Sequence, residues 1–119
     1  QMTNQELLAT AQALQKHTDE FKTSSGKYMI IKNTKSLSEA LQPYYETLQE
    51  IAQEYDVDLS ESVIPSDASD EFKLEIQELL REDVDVDLHM LTEKTLSKEE
   101  AKGNDIDISV LAELQAIIQ

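Results

Sequence analysis

Two glycines and two prolines are all that 119 residues contain, and that scarcity sets the fold class before any pattern is read. An all-β chain needs a turn residue about every 8 to 12 positions, so helices must make up most of this one. The apolar residues agree. Leu, Ile, Val and Ala carry the hydrophobic content, with no Trp, two Phe and four Tyr, which suits an aliphatic core built from helix faces. Folding at this length removes roughly two-thirds of the unfolded surface from water, enough for one core. Gln1 ahead of Met2 reads as a residue carried over from expression, and 2–119 as a single domain.

Thr3-Asn4-Gln5-Glu6 has the spacing of a capping box and predicts a helix start. Leu7, Ala11, Leu14, Thr18 and Phe21 follow at intervals of four and three and form its core-facing stripe, which leaves His17 on the outer side. Ile30, Thr34, Leu37, Leu41, Tyr44, Leu48, Ile51 and Tyr55 continue the helical period. They predict one long helix from about Ser25 to Tyr55, with a kink expected at Pro43, where a backbone donor is missing. The competing reading starts the helix at the Ser36–Glu39 box and leaves 28–32 as a strand. Asp56 to Ser69 reads as a surface loop. A short helix from Asp70 to Leu80 follows, with acids in its first turn where the dipole favours them.

Val84-Asp85-Val86-Asp87-Leu88-His89-Met90-Leu91 then alternates apolar and polar without exception, the period of a strand with one buried face. The strand is expected to run on to Leu96. Lys98 to Asn104 reads as a charged connector, and Asp107 or Ser109 as the cap of a last helix bearing Val110, Leu111, Leu114, Ile117 and Ile118. The expected fold class is therefore α+β, mainly helical, with four helices, one long and kinked at Pro43, and a short β element at 84–96. Few other strands are on offer to complete a sheet, and Val57 to Ile64 is a weak candidate.

The charge is unevenly spread. Residues 51–119 carry 19 Asp and Glu against five Lys and Arg, while residues 1–50 carry six against five, so nearly all of the net −15 belongs to the second part. Such a charge repels phosphate backbones and anionic membranes, so no direct nucleic-acid or membrane partner is expected. Within the first part, Lys22, Lys27, Lys32 and Lys35 form a basic run with no acid between Phe21 and Ser38. The longest strongly apolar run, Tyr28 to Ile31, is far short of the roughly 18 residues that cross a bilayer.

Catalytic chemistry finds little to work with. No cysteine is present, which removes thiolate nucleophiles, disulfides and Cys-type zinc sites. His89 two positions from Asp87 is the one pair that resembles an oriented base, and no nucleophile motif, phosphate-cradling loop or His-Glu-x-x-His pair accompanies it. Asp56-Val57-Asp58 imitates the opening of a calcium loop, but position six is Glu61 instead of Gly and position twelve is Asp67 instead of Glu. Successive carboxylates on a strand face lie roughly 7 Å apart, too far for Asp85 and Asp87 alone to hold one ion. The chain is read as non-enzymatic, with no catalytic residue, cofactor or metal.

Several segments together carry a resemblance. Tyr28-Met29-Ile30-Ile31-Lys32-Asn33, the run Phe72 to Leu80 leading into Val84 to His89, and Ile106-Asp107-Ile108-Ser109 before a final apolar helix resemble, in order and over nearly the whole chain, a family of small phage and prophage proteins of unknown function. Pro43 inside the long helix, and the lack of a glycine-containing insert between 56 and 70, depart from that pattern. The resemblance implies a phage or prophage origin and residence in the host cytoplasm, or a place in the virion. It transfers no catalytic or binding residue.

These readings converge on a protein that works by contact with another protein, itself or a host or phage partner, through the acidic strand edge at Asp85, Asp87 and His89 and the helix face around Tyr45. The shortage of other strands argues for self-association, with the strand at 84–91 completed across a subunit boundary and the basic run of one copy meeting the acidic face of the next. The alternative is a DNA mimic that inhibits a host nuclease or restriction protein through Glu75, Glu78, Asp85 and Asp87.

Overall fold

Thr3 and Glu6 close the expected capping box: the Glu6 N–H donates to Thr3 Oγ1 (3.2 Å) and the Thr3 N–H to Glu6 Oε1 (2.9 Å). Helix α1 (Asn4–Lys16) starts there. A computed structural model describes residues 1–60 and 65–118. After α1 come a 3-10 turn at Thr18–Glu20, the long helix α2 (Ser24–Glu54), α3 (Asp70–Leu80), α4 (Glu93–Ala101), α5 (Ile108–Glu113) and a 3-10 turn at Gln115–Ile117. Strands β1 (Met2–Thr3) and β2 (Asp83–Val84) pair antiparallel, Met2 opposite Val84 and Thr3 opposite Asp83. The fold is α+β and mainly helical, as expected.

The long-helix reading holds, and 28–32 is helix. At 31 residues, α2 spans about 46 Å at 1.5 Å per residue, most of the molecule's 53 Å long axis. Pro43 lies inside it at an exposed position between buried Leu41 and Tyr44. The helix continues across it, although Pro43 leaves the carbonyl of Glu39, an exposed residue, without its helical donor.

Two apolar clusters sit along this axis. The larger joins Leu7 and Leu14 of α1, Phe21, the stripe Met29, Ile30, Leu37, Leu41 and Tyr44 of α2, Leu91, and Val110, Leu114 and Ile117 at the C-terminal end. The smaller packs Ala52 at the far end of α2 against Phe72 and Ile76 of α3, with Tyr55 edge-on to Phe72 at 5.7 Å. Asn4 connects the two regions: its N–H donates to the Glu82 carbonyl (3.0 Å) and its Nδ2 to the Leu79 carbonyl (2.9 Å), which lies in the last turn of α3 and also accepts from the Glu82 N–H (3.2 Å).

The β element departs most from expectation. Instead of running over 84–96 it is a ladder of two residues on each side: the antiparallel register sets Val84 opposite Met2 and Asp83 opposite Thr3, so residues from 85 on lie beyond the pairing. Residues 92–96 are not strand. Thr92 accepts from the Thr95 N–H (3.3 Å) and caps α4, so the expected connector at 98–104 is largely helix and the described residues hold five α-helices, not four. Val57 to Leu59 forms no strand; the rest of that candidate, 61–64, lies outside the described residues. His17 is not on an outer face. It is buried, with Nε2 3.1 Å from Glu113 of α5.

Glu99 explains why α4 forms where no apolar stripe marks it. Its side chain is fully buried and reaches the start of α2. There the Lys22 N–H donates to Oε1 (2.8 Å), the Thr23 N–H to Oε2 (2.9 Å), the Thr23 hydroxyl to Oε2, and Asn104 Nδ2 to Oε1 (2.6 Å). Burial raises its pKa, and these hydrogen bonds outweigh burial and hold it down at about 2. The carboxylate thus serves as an anion at the positive end of α2, supplied from a distant helix. Gly103, at φ +78°, turns the chain out of α4 in the left-handed region where glycine is favoured, with its N–H on the Glu100 carbonyl (2.9 Å).

Candidate interaction surface

Asp83 and Val84 are strand and residues 85–90 have no regular secondary structure, a correction to the expected strand, yet burial along 83–90 alternates as the sequence requires. Asp83, Asp85, Asp87 and His89 are exposed, while Val84, Val86, Leu88 and Met90 are half-buried, and Leu91 is fully buried. Val84, Val86 and Leu88 pack against the larger cluster. The apolar side therefore faces in and the anionic side out, although only the first two of these residues are in a ladder.

Beyond Val84 the backbone has few partners. No backbone hydrogen bond is made by residues 85–90 among the described residues. The exception to this openness is a side chain: Asn33 of α2 donates from Nδ2 to the His89 carbonyl (2.8 Å) and accepts from the His89 N–H at Oδ1 (2.6 Å). Fully buried, Asn33 gives His89 the two bonds a neighbouring strand would give. At the other end, the Leu91 N–H donates to the Ile117 carbonyl (2.6 Å). Residues 85–88 are thus held at both ends and by their apolar side chains, with their own N–H and C=O groups left without protein partners.

The His89 ring meets Tyr28 edge-on at 5.3 Å, and the Lys32 ammonium stands 6.0 Å from the centre of the same Tyr28 ring. No hydrogen bond joins His89 to Asp87 among the described residues, and the other histidine is engaged with Glu113. Glu99, the one fully buried carboxylate in the described chain, has both oxygens occupied by structural donors. No group of three or more Asp, Glu or His side chains converges as a metal site among the described residues. The resemblance to a calcium loop at Asp56 includes Glu61, which lies outside them; Asp58 there accepts from the Ser60 N–H (2.9 Å), a local turn.

Asp85, Asp87 and His89 are all exposed. Tyr45 is exposed too, stacked edge-on against Tyr44 at 5.3 Å. It stands twelve residues, about 18 Å of helix, from the Asn33 that holds His89, and no hydrogen bond, ion pair or ring contact joins it to the three. The structure therefore does not unite Tyr45 with that edge. Asn33 and Tyr28 are the contributors that periodicity alone overlooks. Asn33 is four residues from both Met29 and Leu37, on the buried stripe, and a polar side chain placed there requires a partner.

No family model, curated protein or solved structure matches this chain. No helix among the described residues is long and apolar enough to cross a membrane.

Proposed function

We propose that this protein acts by protein–protein contact, with residues 85–88 as an edge to which an extended segment of a partner adds. The observation that carries this reading is that residues 85–88 have no backbone hydrogen-bond partner among the described residues while the chain on both sides of them is held. A partner strand can form hydrogen bonds there, and each bond contributes about 0.5–1.5 kcal/mol net. Four residues supply a modest total. Selectivity then falls to the side chains: Asp85 and Asp87 favour Lys or Arg directly opposite, at about 0.2–1 kcal/mol per pair, and reject acids. The lineage suggested by sequence makes a phage or host protein in the host cytoplasm, or a second copy of the chain, the partner.

Asp87→Pro tests this, because it removes one free backbone donor from an exposed position. Wild-type and variant baits are compared in lysates of phage-infected cells, with hydrogen exchange at 85–88 measured with and without the captured protein. The expected result is capture by the wild type only, with 85–88 protected in the complex. A partner retained equally by both baits, or 85–88 exchanging as freely in the complex as alone, overturns the reading.

A further inference from the structure

We infer that the exposed face of the first half of α2 is a contact surface for a second copy of this chain, with Ile31 at its centre and the Ile108 corner of the other copy as its occupant. This rests on the reading of the protein as one that works by protein contact, and adds a surface separate from the 85–88 edge.

Ile31 is 69% exposed and Ile108 82%, more than any other large apolar residue among those described. Their surroundings are opposite in charge. Ile31 stands between two clefts of about 590 and 350 Å³, and both include Ile30 in their walls. Lys35 lines the first cleft, Lys22 and Lys27 the second; Glu39 and Asp19 are the acids that line them. Ile108 follows Asp105 and Asp107, both exposed. Taken together the two clefts hold three Lys against two acids, a small positive excess that, in a chain of net charge −15, complements the acidic corner at Ile108, and the complement is present in every copy.

Placement favours closure. Asn104 Nδ2 donates to the Glu20 carbonyl (2.7 Å), so the acidic corner begins beside the 3-10 turn at Thr18–Glu20, and Thr18 of that turn lines both clefts. Clefts and corner therefore share one end of the molecule. Two copies related by a two-fold axis can each insert Ile108 beside the other's Ile31, an isologous contact that ends at a dimer and does not propagate. The arrangement also covers the two most exposed large apolar side chains together.

Sedimentation equilibrium over a wide concentration range tests the inference. The wild type is expected to dimerise, more weakly as salt rises. Ile31→Glu and Ile108→Lys are each expected to be monomeric, with unchanged circular dichroism because both positions are exposed. The decisive experiment is a charge swap: Lys27→Glu with Lys35→Glu in one chain, and Asp105→Lys in another, each monomeric alone and associating when mixed. Asp107 is left in place because it caps α5. A wild type that stays monomeric at the highest concentration, or a charge-swapped pair that fails to associate, overturns the inference even if a single variant fails to fold. A dimer that survives Ile31→Glu but is lost in Asp87→Pro assigns self-association to the 85–88 edge and overturns this face while leaving the proposed function standing. A dimer lost in Ile31→Glu, together with a partner captured equally by wild type and Asp87→Pro, does the reverse.

Discussion

The Thr23 hydroxyl donates to the Glu99 carboxylate and at the same time accepts from the Gly26 N–H (3.0 Å), so the cap of the longest helix is itself held by a side chain seventy-six residues away. Ordinary helix caps are local. Here the local cap and the remote acid form one buried unit, and α4 cannot leave α2 without exposing the Lys22 and Thr23 N–H groups and stranding an anion.

That arrangement makes stability depend on acid. The folded pKa of Glu99, about 2, lies below its ordinary 4.5. A depressed carboxylate contributes stability that is fully present above pH 4.5 and is lost progressively as pH falls toward 2. A shift of this size corresponds to on the order of 3 kcal/mol. Glu99→Gln is therefore expected to lower stability at pH 7 by that order and to flatten the acid limb between pH 4.5 and 2. Urea melts of both proteins across that range check it; parallel acid limbs would show that the carboxylate is not the titrating group.

Gly26 offers a test of sign. Replacing glycine by alanine in a helix normally stabilises by about 0.5–1 kcal/mol. At Gly26 an added Cβ would fall 2.5 Å from Glu99 Oε2 and 2.8 Å from Phe21 Cβ. Overpacking of this kind costs about 1–3 kcal/mol, so it wins and Gly26→Ala is expected to destabilise. In a Glu99→Gln background the penalty should change, because the neighbour it strikes is altered; a double-mutant cycle by denaturant melts measures that coupling.

Asn33 decides whether the 85–88 edge stays in place. Asn33→Ala removes both bonds to His89 and leaves two backbone groups unpaired at about 1–3 kcal/mol each, reduced by whatever water reaches them. Hydrogen exchange at 85–90 is expected to accelerate markedly, with α1 and α3 protected as before. If 85–90 exchanges at the same rate in wild type and variant, the Asn33 clamp does not hold the segment.

Much of this was legible in the sequence, for reasons that particular residues make plain. The Thr3–Glu6 box is a local interaction and was read as it stands. The stripe from Ile30 to Tyr55 is long enough for the helical period to outweigh the strand-like run at Tyr28–Ile31. The charge pattern from Asp83 to His89 correctly placed acids outward. What escaped was whatever depended on a distant partner. Helix α4 has two apolar residues on its length, Leu96 and Ala101, and is held by a buried Glu99 that any periodicity scheme reads as solvated. His17 belongs with Glu113, ninety-six residues on. The register of β2, with Val84 opposite Met2 and Asp83 opposite Thr3, is set by the chain ahead of α1, which no feature of 84–96 reveals. That residues from 85 on lie beyond this pairing shows only once both segments are placed.

Pro43 supplies the last test, because two effects oppose each other there. A proline in a helix interior is about 3 kcal/mol less favourable than alanine, and Pro43 is exposed, so its ring fills no space in the core. Pro43→Ala restores a donor for the Glu39 carbonyl and is expected to raise stability by up to about 3 kcal/mol. Against this stands the course of α2 beyond residue 43, which carries Leu48, Ile51 and Ala52 onto α3. If the proline sets the direction of that second half, straightening the helix would lift Ala52 away from Phe72 and Ile76, and the loss of packing would cancel the gain. Thermal melts separate the two: a higher melting temperature with unchanged near-ultraviolet circular dichroism from Tyr55 and Phe72 means that the ring only weakens the helix, whereas a lower one means that it positions α3 and, through the Asn4 bond to Leu79, the start of the exposed edge.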